Sequence, residues 1–93
     1  RSRPVTPAEA LTSRFYLRLQ ATDRPGVFAD LATAFGEEEV SLDMIIQKQS
    51  REGIAEIVLV THNVLEKYFN RALVRIDELE TTKGISSVFR VLG

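Results

Sequence analysis

Asp23-Arg24-Pro25-Gly26-Val27-Phe28 is the stretch of this chain with the most chemical promise. Its residue types suit a turn that opens a helix. Asp23 is a good N-cap, because a carboxylate can accept from the orphan N–H groups of a first helical turn. Pro25 fits inside that turn, where its missing N–H is not needed. Gly26 stands where a capping box would place Glu or Gln, which leaves the backbone uncovered. The N–H groups of Gly26, Val27 and Phe28, with the positive end of the helix dipole, would suit a small anion. Ser41 and Asp43 form a second polar pair further along. An amino acid needs N–H donors for its carboxylate and an acceptor for its ammonium, and Asp23 or Asp43 could be that acceptor. Read blandly, the hexapeptide is an ordinary strand-to-helix connection.

Catalytic chemistry is poorly provided for. Ser41, Ser50, Ser86 and Ser87 have only His62 as a base, and His62 falls in a loop beside a helix start. Asp23 and Asp43 could be drawn as an acid–base pair, but their strand and cap contexts offer nothing obvious to fit them for that role. Asp30 and Glu37–Glu39 read as solvated helix surface. With no cysteine and one histidine, a disulfide frame and a thiolate metal site are excluded and a zinc or haem site is disfavoured. No Walker-type loop or Rossmann fingerprint is present.

The elements that must position the loop follow from periodicity. Phe15, Leu17 and Leu19 alternate with Tyr16, Arg18 and Gln20, predicting a half-buried strand over Phe15–Ala21. A helix is predicted from Pro25 to Glu37, with Val27, Leu31 and Phe35 in one row and Phe28 and Ala32 beside it. Gly36 and the three glutamates after it end that helix. A second strand is predicted over Val40–Gln49, with Val40, Leu42, Met44 and Ile46 on one face. Ser50-Arg51-Glu52-Gly53 makes a hairpin turn. The third strand, Ile54–Thr61, is apolar on both faces near its end and reads as central. Asn63-Val64-Leu65-Glu66 looks like a variant capping box opening a second helix, striped with Leu65, Phe69, Ala72, Leu73, Ile76 and Leu79. A last strand runs from Ile85 to Leu92. The order β-α-β-β-α-β predicts an α+β, ferredoxin-like sandwich: four antiparallel strands in the order 4-1-3-2, with both helices on one face.

At 93 residues, 44% hydrophobic and 27% charged, the chain is one ordinary globular domain. A net charge of −1 supplies no basic footprint for nucleic acid, and no apolar run reaches membrane-spanning length. Without a signal-peptide pattern, a cytoplasmic location is the default. The chain begins with Arg1, and Arg1, Arg3, Pro4 and Pro7 are linker-like. Residues 1–13 are therefore expected to connect to a missing upstream domain, with a short helical turn from Thr6 to about Leu11. Residues 14–93 form the domain itself. In the order 4-1-3-2 the second strand is an edge with little blocking charge, so Leu42, Met44, Ile45, Ile46 and Gln47 are predicted to form a homodimer interface.

A strand, then Asp23-Arg24-Pro25-Gly26-Val27-Phe28, a helix, and Val40-Ser41-Leu42 opening a second strand resemble the ACT domain, a regulatory module of amino-acid-metabolising enzymes. The resemblance covers about residues 14–92. Arg14–Leu19, Ile45–Lys48, Ala55–Val58, Thr61-His62 and Val88–Val91 look most like the C-terminal ACT domain of bacterial homoserine dehydrogenases. GTP pyrophosphokinases and phosphoglycerate dehydrogenases carry related modules. The resemblance implies an amino-acid effector held by Asp23, Arg24, Pro25, Gly26, Val27 and Phe28 with the facing second strand, usually at a dimer interface. Two positions depart from the family pattern: Asp23 and Ser41 stand where relatives often have Asn. For a homoserine dehydrogenase the implied effector is threonine, and the implied parent reaction is NAD(P)-dependent interconversion of homoserine and aspartate semialdehyde. This stretch itself would hold no cofactor and catalyse nothing. The alternative is an assembly module without ligand, in which Gly26 permits close helix–strand packing and Asp23 is only a cap.

Overall fold

The computed structural model describes residues 11–48 and 50–91. The turn expected at Thr6–Leu11 lies almost entirely outside them, as do Gln49 and Leu92. The elements are β1 (Thr12–Thr22), α1 (Val27–Glu37), β2 (Leu42–Gln47), β3 (Ile54–Thr61), β4 (Val64–Leu65), α2 (Glu66–Glu78) and β5 (Thr82–Val91). The long strands pair antiparallel in the order β5-β1-β3-β2. This is the ferredoxin-like βαββαβ arrangement with one addition, the two-residue β4. Tyr16 pairs with Val60 and Ser13 with Val64. β4 thus carries the line of β3 onward along β1 after a one-residue slip at His62-Asn63.

Period-two burial builds the core from one side of the sheet. Phe15, Leu17, Leu19 and Ala21 of β1 are buried, as are Ala55, Ile57 and Leu59 of β3. They join Val27, Leu31, Ala34 and Phe35 of α1 and Phe69, Ala72 and Ile76 of α2 in one cluster. Both helices therefore cover the same face. Phe15 and Phe69 stack with ring centroids 4.0 Å apart. Thr61, fully buried, accepts the Phe15 N–H on its hydroxyl at 3.0 Å, so its polar atom is satisfied inside the core.

Several sequence expectations shift by a turn or a residue. α1 starts at Val27, and Pro25 lies in the turn before it. Ala34 completes its buried row, while Phe28, 36% exposed, and Ala32 face outward. The helix ends with Glu39 at φ 65°. The Glu39 N–H donates to Gly36 O and the Val40 N–H to Phe35 O, the Schellman pattern with glutamate in the left-handed position that glycine usually fills. Asn63 opens no helix: α2 has Leu65 at its N-cap without a side-chain bond, and the Glu66 N–H donates instead to Leu11 O. β5 begins at Thr82, three residues earlier than the apolar pattern indicates, and β1 is extended at both ends.

β2 departs most. Its pairing with β3 slips between Leu42 and Met44, a bulge at Asp43 that breaks the alternation. Leu42 and Ile45 consequently both pack on the core. Met44, 39% exposed, and Ile46, 46% exposed, do not share a face with Leu42. They lie on the side of the sheet away from the helices.

Candidate functional site

The Asp23–Phe28 loop follows the end of β1, where the Asp23 N–H donates to Gly53 O. The β2–β3 hairpin therefore braces the loop. Gly26 occupies the N-cap position of α1 at φ 90°, and no side chain caps the helix. Asp23 is thus not the cap that its type and place predict. Its carboxylate accepts from Gln47 Nε2 at 3.1 Å, across to the edge strand. The left-handed turn explains the outcome: glycine adopts that conformation freely, and it turns the chain so that the helix starts beyond the reach of Asp23. A Cβ built on Gly26 would meet nothing within 4 Å, so the glycine serves the backbone angle and not a tight packing contact.

Of the N–H groups expected to be free, that of Val27 is used, donating to Arg24 O at 3.3 Å. Those of Gly26, Phe28 and Ala29 have no acceptor among the described residues. The first turn of α1 therefore keeps open donors at the positive end of its dipole.

Ser41 and Asp43 stand at the other end of β2. Leu42 pairs with Thr61 and Gln47 with Ile57, so about 16 Å of strand separates the two polar groups. One chain does not bring the loop and this pair together. Asp43 is instead clasped by β1: Arg14 Nη2 lies 2.7 Å from its Oδ2. His62 Nε2 lies 3.8 Å from Oδ1, too long for a hydrogen bond. The His62 N–H donates to Ser41 O at 2.9 Å, and Arg14 Nε donates to Thr61 O at 3.3 Å. Sequence periodicity gave no sign of this Arg14–Asp43–His62 group, because it depends on the strand register. His62 is exposed as expected. No hydroxyl is recorded in hydrogen-bond reach of its ring among the described residues, so no nucleophilic relay forms.

Two further ionic groups lie elsewhere. Arg75 of α2 bridges to Glu37 at 3.0 Å and to Glu38, so Glu37 and Glu38 are clasped across the helices and are not merely solvated. The hydrogen bond to Glu38 raises the Arg75 pKa above its ordinary value. A groove of about 320 Å³ beside this bridge is lined by Asp30, Thr33, Glu37, Arg75 and Glu78 among others, and contains no loop residue. On the helix-free face, Arg18 bonds to the Tyr16 hydroxyl and lies 3.3 Å from Glu56. The tyrosine hydrogen bond, then the Glu56 charge, raise its pKa.

The model of the ACT domain family matches residues 15–67. A homoserine dehydrogenase of Synechocystis is 47% identical over 89 residues, covering 96% of this chain and 21% of the relative. One from Pseudomonas aeruginosa is 41% identical over 83 residues, covering 87% of this chain and 19% of the relative. The crystal structure of a homoserine dehydrogenase from Thiobacillus denitrificans superposes with a TM-score of 0.78 at 35% identity, covering 95% of this chain and 19% of that one. The regulatory subunit of aspartate kinase from Thermus thermophilus, with a TM-score of 0.60 at 20% identity over 86% of this chain and 51% of its own, shares the fold. The chain thus spans about a fifth of the length of the curated relatives it matches.

Proposed function

The chain belongs to the ACT domain family, and on that premise we propose that it is the amino-acid-sensing module of a homoserine dehydrogenase. Its kinship with the homoserine dehydrogenases supports the parent. One observation carries the binding mode. The loop and the Ser41–Asp43 pair stand at opposite ends of β2, which pairs only with β3 among the described strands.

A second copy, paired antiparallel along that edge about a two-fold at Ile45, sets Asp43 of one copy against Gln47 of the other. Ser41 and Asp43 of one copy then stand beside the other's Asp23–Phe28 loop. The effector carboxylate takes the N–H groups of Gly26, Phe28 and Ala29, and its ammonium takes Asp23 or Asp43. Threonine, the pathway end product, is the favoured effector, with Ser41 near its hydroxyl. Its binding energy adds to dimer stability by mass action. The open space over Gly26 suits ligand approach and not the packing role that a ligand-free assembly module would give this glycine. The parent is a cytoplasmic, NAD(P)-dependent oxidoreductase whose cofactor site lies outside this stretch.

Isothermal titration of this chain with threonine and a panel of other amino acids tests the reading. Saturable heat with threonine is expected. Silence across the panel at millimolar concentration, with sedimentation showing a folded dimer, rejects it.

A further inference from the structure

We propose that Arg14 and His62 control the Asp43 half of this site, so that Asp43 offers an oxygen to the effector's ammonium only while His62 is neutral. The proposal rests on the amino-acid-binding reading and adds its regulation by protons.

The geometry divides the two oxygens of Asp43. Oδ2 is taken by Arg14 at 2.7 Å. Oδ1 faces His62 Nε2 across 3.8 Å, a gap that no neutral hydrogen bond closes. The bulge at Asp43 brings this carboxylate out of the strand's alternation to the corner where β1, β2 and β3 meet. The corner is held in place by hydrogen bonds to backbone carbonyls. The His62 N–H donates to Ser41 O, and Arg14 Nε to Thr61 O. The His62 backbone is therefore held beside Ser41, with its ring on the Oδ1 side of Asp43.

Asp43 from β2 faces the ring through Oδ1, and Arg14 from β1 holds the other oxygen of the same carboxylate. Glu66, at the start of α2, is engaged by Arg90. No other carboxylate lies within 4.0 Å of the ring among the described residues. Arg14 keeps its charge at every working pH, so only the imidazole varies near neutrality. With His62 neutral, Arg14 and Asp43 balance and Oδ1 remains open as an acceptor. With His62 protonated, the corner carries a net positive charge, the imidazolium competes for Oδ1, and an incoming ammonium is repelled. Binding therefore weakens as pH falls. One unit charge about 4 Å away in water changes affinity about five-fold.

The test titrates threonine into this chain at about pH 8 and about pH 5.5, which bracket the range where imidazole changes charge. Binding about five-fold weaker at the lower pH is expected. His62→Gln should retain the affinity at the higher pH and lose most of the difference. Asp43→Asn should bind weakly at both. A pH difference that survives in His62→Gln overturns the proposal and leaves the binding reading standing. Absence of binding by threonine and the whole panel at the higher pH removes the binding reading, and this proposal with it.

Discussion

The side-chain amide of Gln47 donates to the Asp23 carboxylate at 3.1 Å, which makes Asp23 a tie between the loop and the edge strand and not a helix cap. Loss of an N-cap costs about 0.5–2 kcal/mol. Loss of one exposed hydrogen bond stays within about 0.5 kcal/mol. Asp23→Ala should therefore leave the urea midpoint nearly unchanged while threonine affinity falls by more than the fold loses. A stability loss of 1 kcal/mol or more would restore the capping role.

Glu39 holds a left-handed conformation at the end of α1, which costs a side-chain-bearing residue about 1–2 kcal/mol. Glycine removes that cost but adds freedom to the unfolded chain. Glu39→Gly should raise stability by up to about 1 kcal/mol, measured by thermal or urea unfolding. Glu39→Val should lower it, because branching at Cβ makes positive φ harder.

The parts legible in the sequence were those governed by strict period. Phe15, Leu17 and Leu19 gave β1, and Val27, Leu31 and Phe35 gave the buried row of α1. β2 resisted because its bulge at Asp43 is a property of pairing with β3, and no single residue signals it. The same slip sets Leu42 and Ile45 on one side, which alternation alone would separate. At the loop, the residue types of Asp23 and Pro25 fitted a cap and a first turn. The φ of 90° at Gly26 displaced both, because the chain must turn before the helix starts. Arg14, His62 and Gln47 gained their places at the site from register and from contacts distant in sequence.

Phe69 is buried against Phe15 in a parallel stack and joins α2 to β1. Truncating a buried aromatic costs about 3–5 kcal/mol, a large share of the stability of a small domain. Phe69→Ala should leave the chain largely unfolded or sharply destabilised by circular dichroism. Phe69→Leu should retain the fold with a smaller loss, since it keeps most of the buried apolar volume. Equal loss in both variants would place the weight on the stack itself.

The outer edge of β2 makes a prediction about assembly. The Lys48 N–H donates to Glu56 O, and Ile46 and Met44 follow at two-residue steps opposite Val58 and Val60. In an antiparallel ladder, alternate residues bond to the partner strand and those between them turn their N–H groups the other way. Ile45 and Gln47 therefore direct theirs to the free edge. A second copy pairing along β2 would use them, and Ile45→Pro removes one of these donors without removing a bond to β3. Proline is tolerated on an edge strand for that reason. Met44→Pro removes a donor that faces β3 and should damage the fold itself. Sedimentation at tens of micromolar should show this chain as a dimer and Ile45→Pro as a folded monomer, with circular dichroism near that of the parent chain. A monomer before any substitution, or a dimer undiminished in folded Ile45→Pro, rules out pairing along this edge. The effector site would then have to be completed in another way.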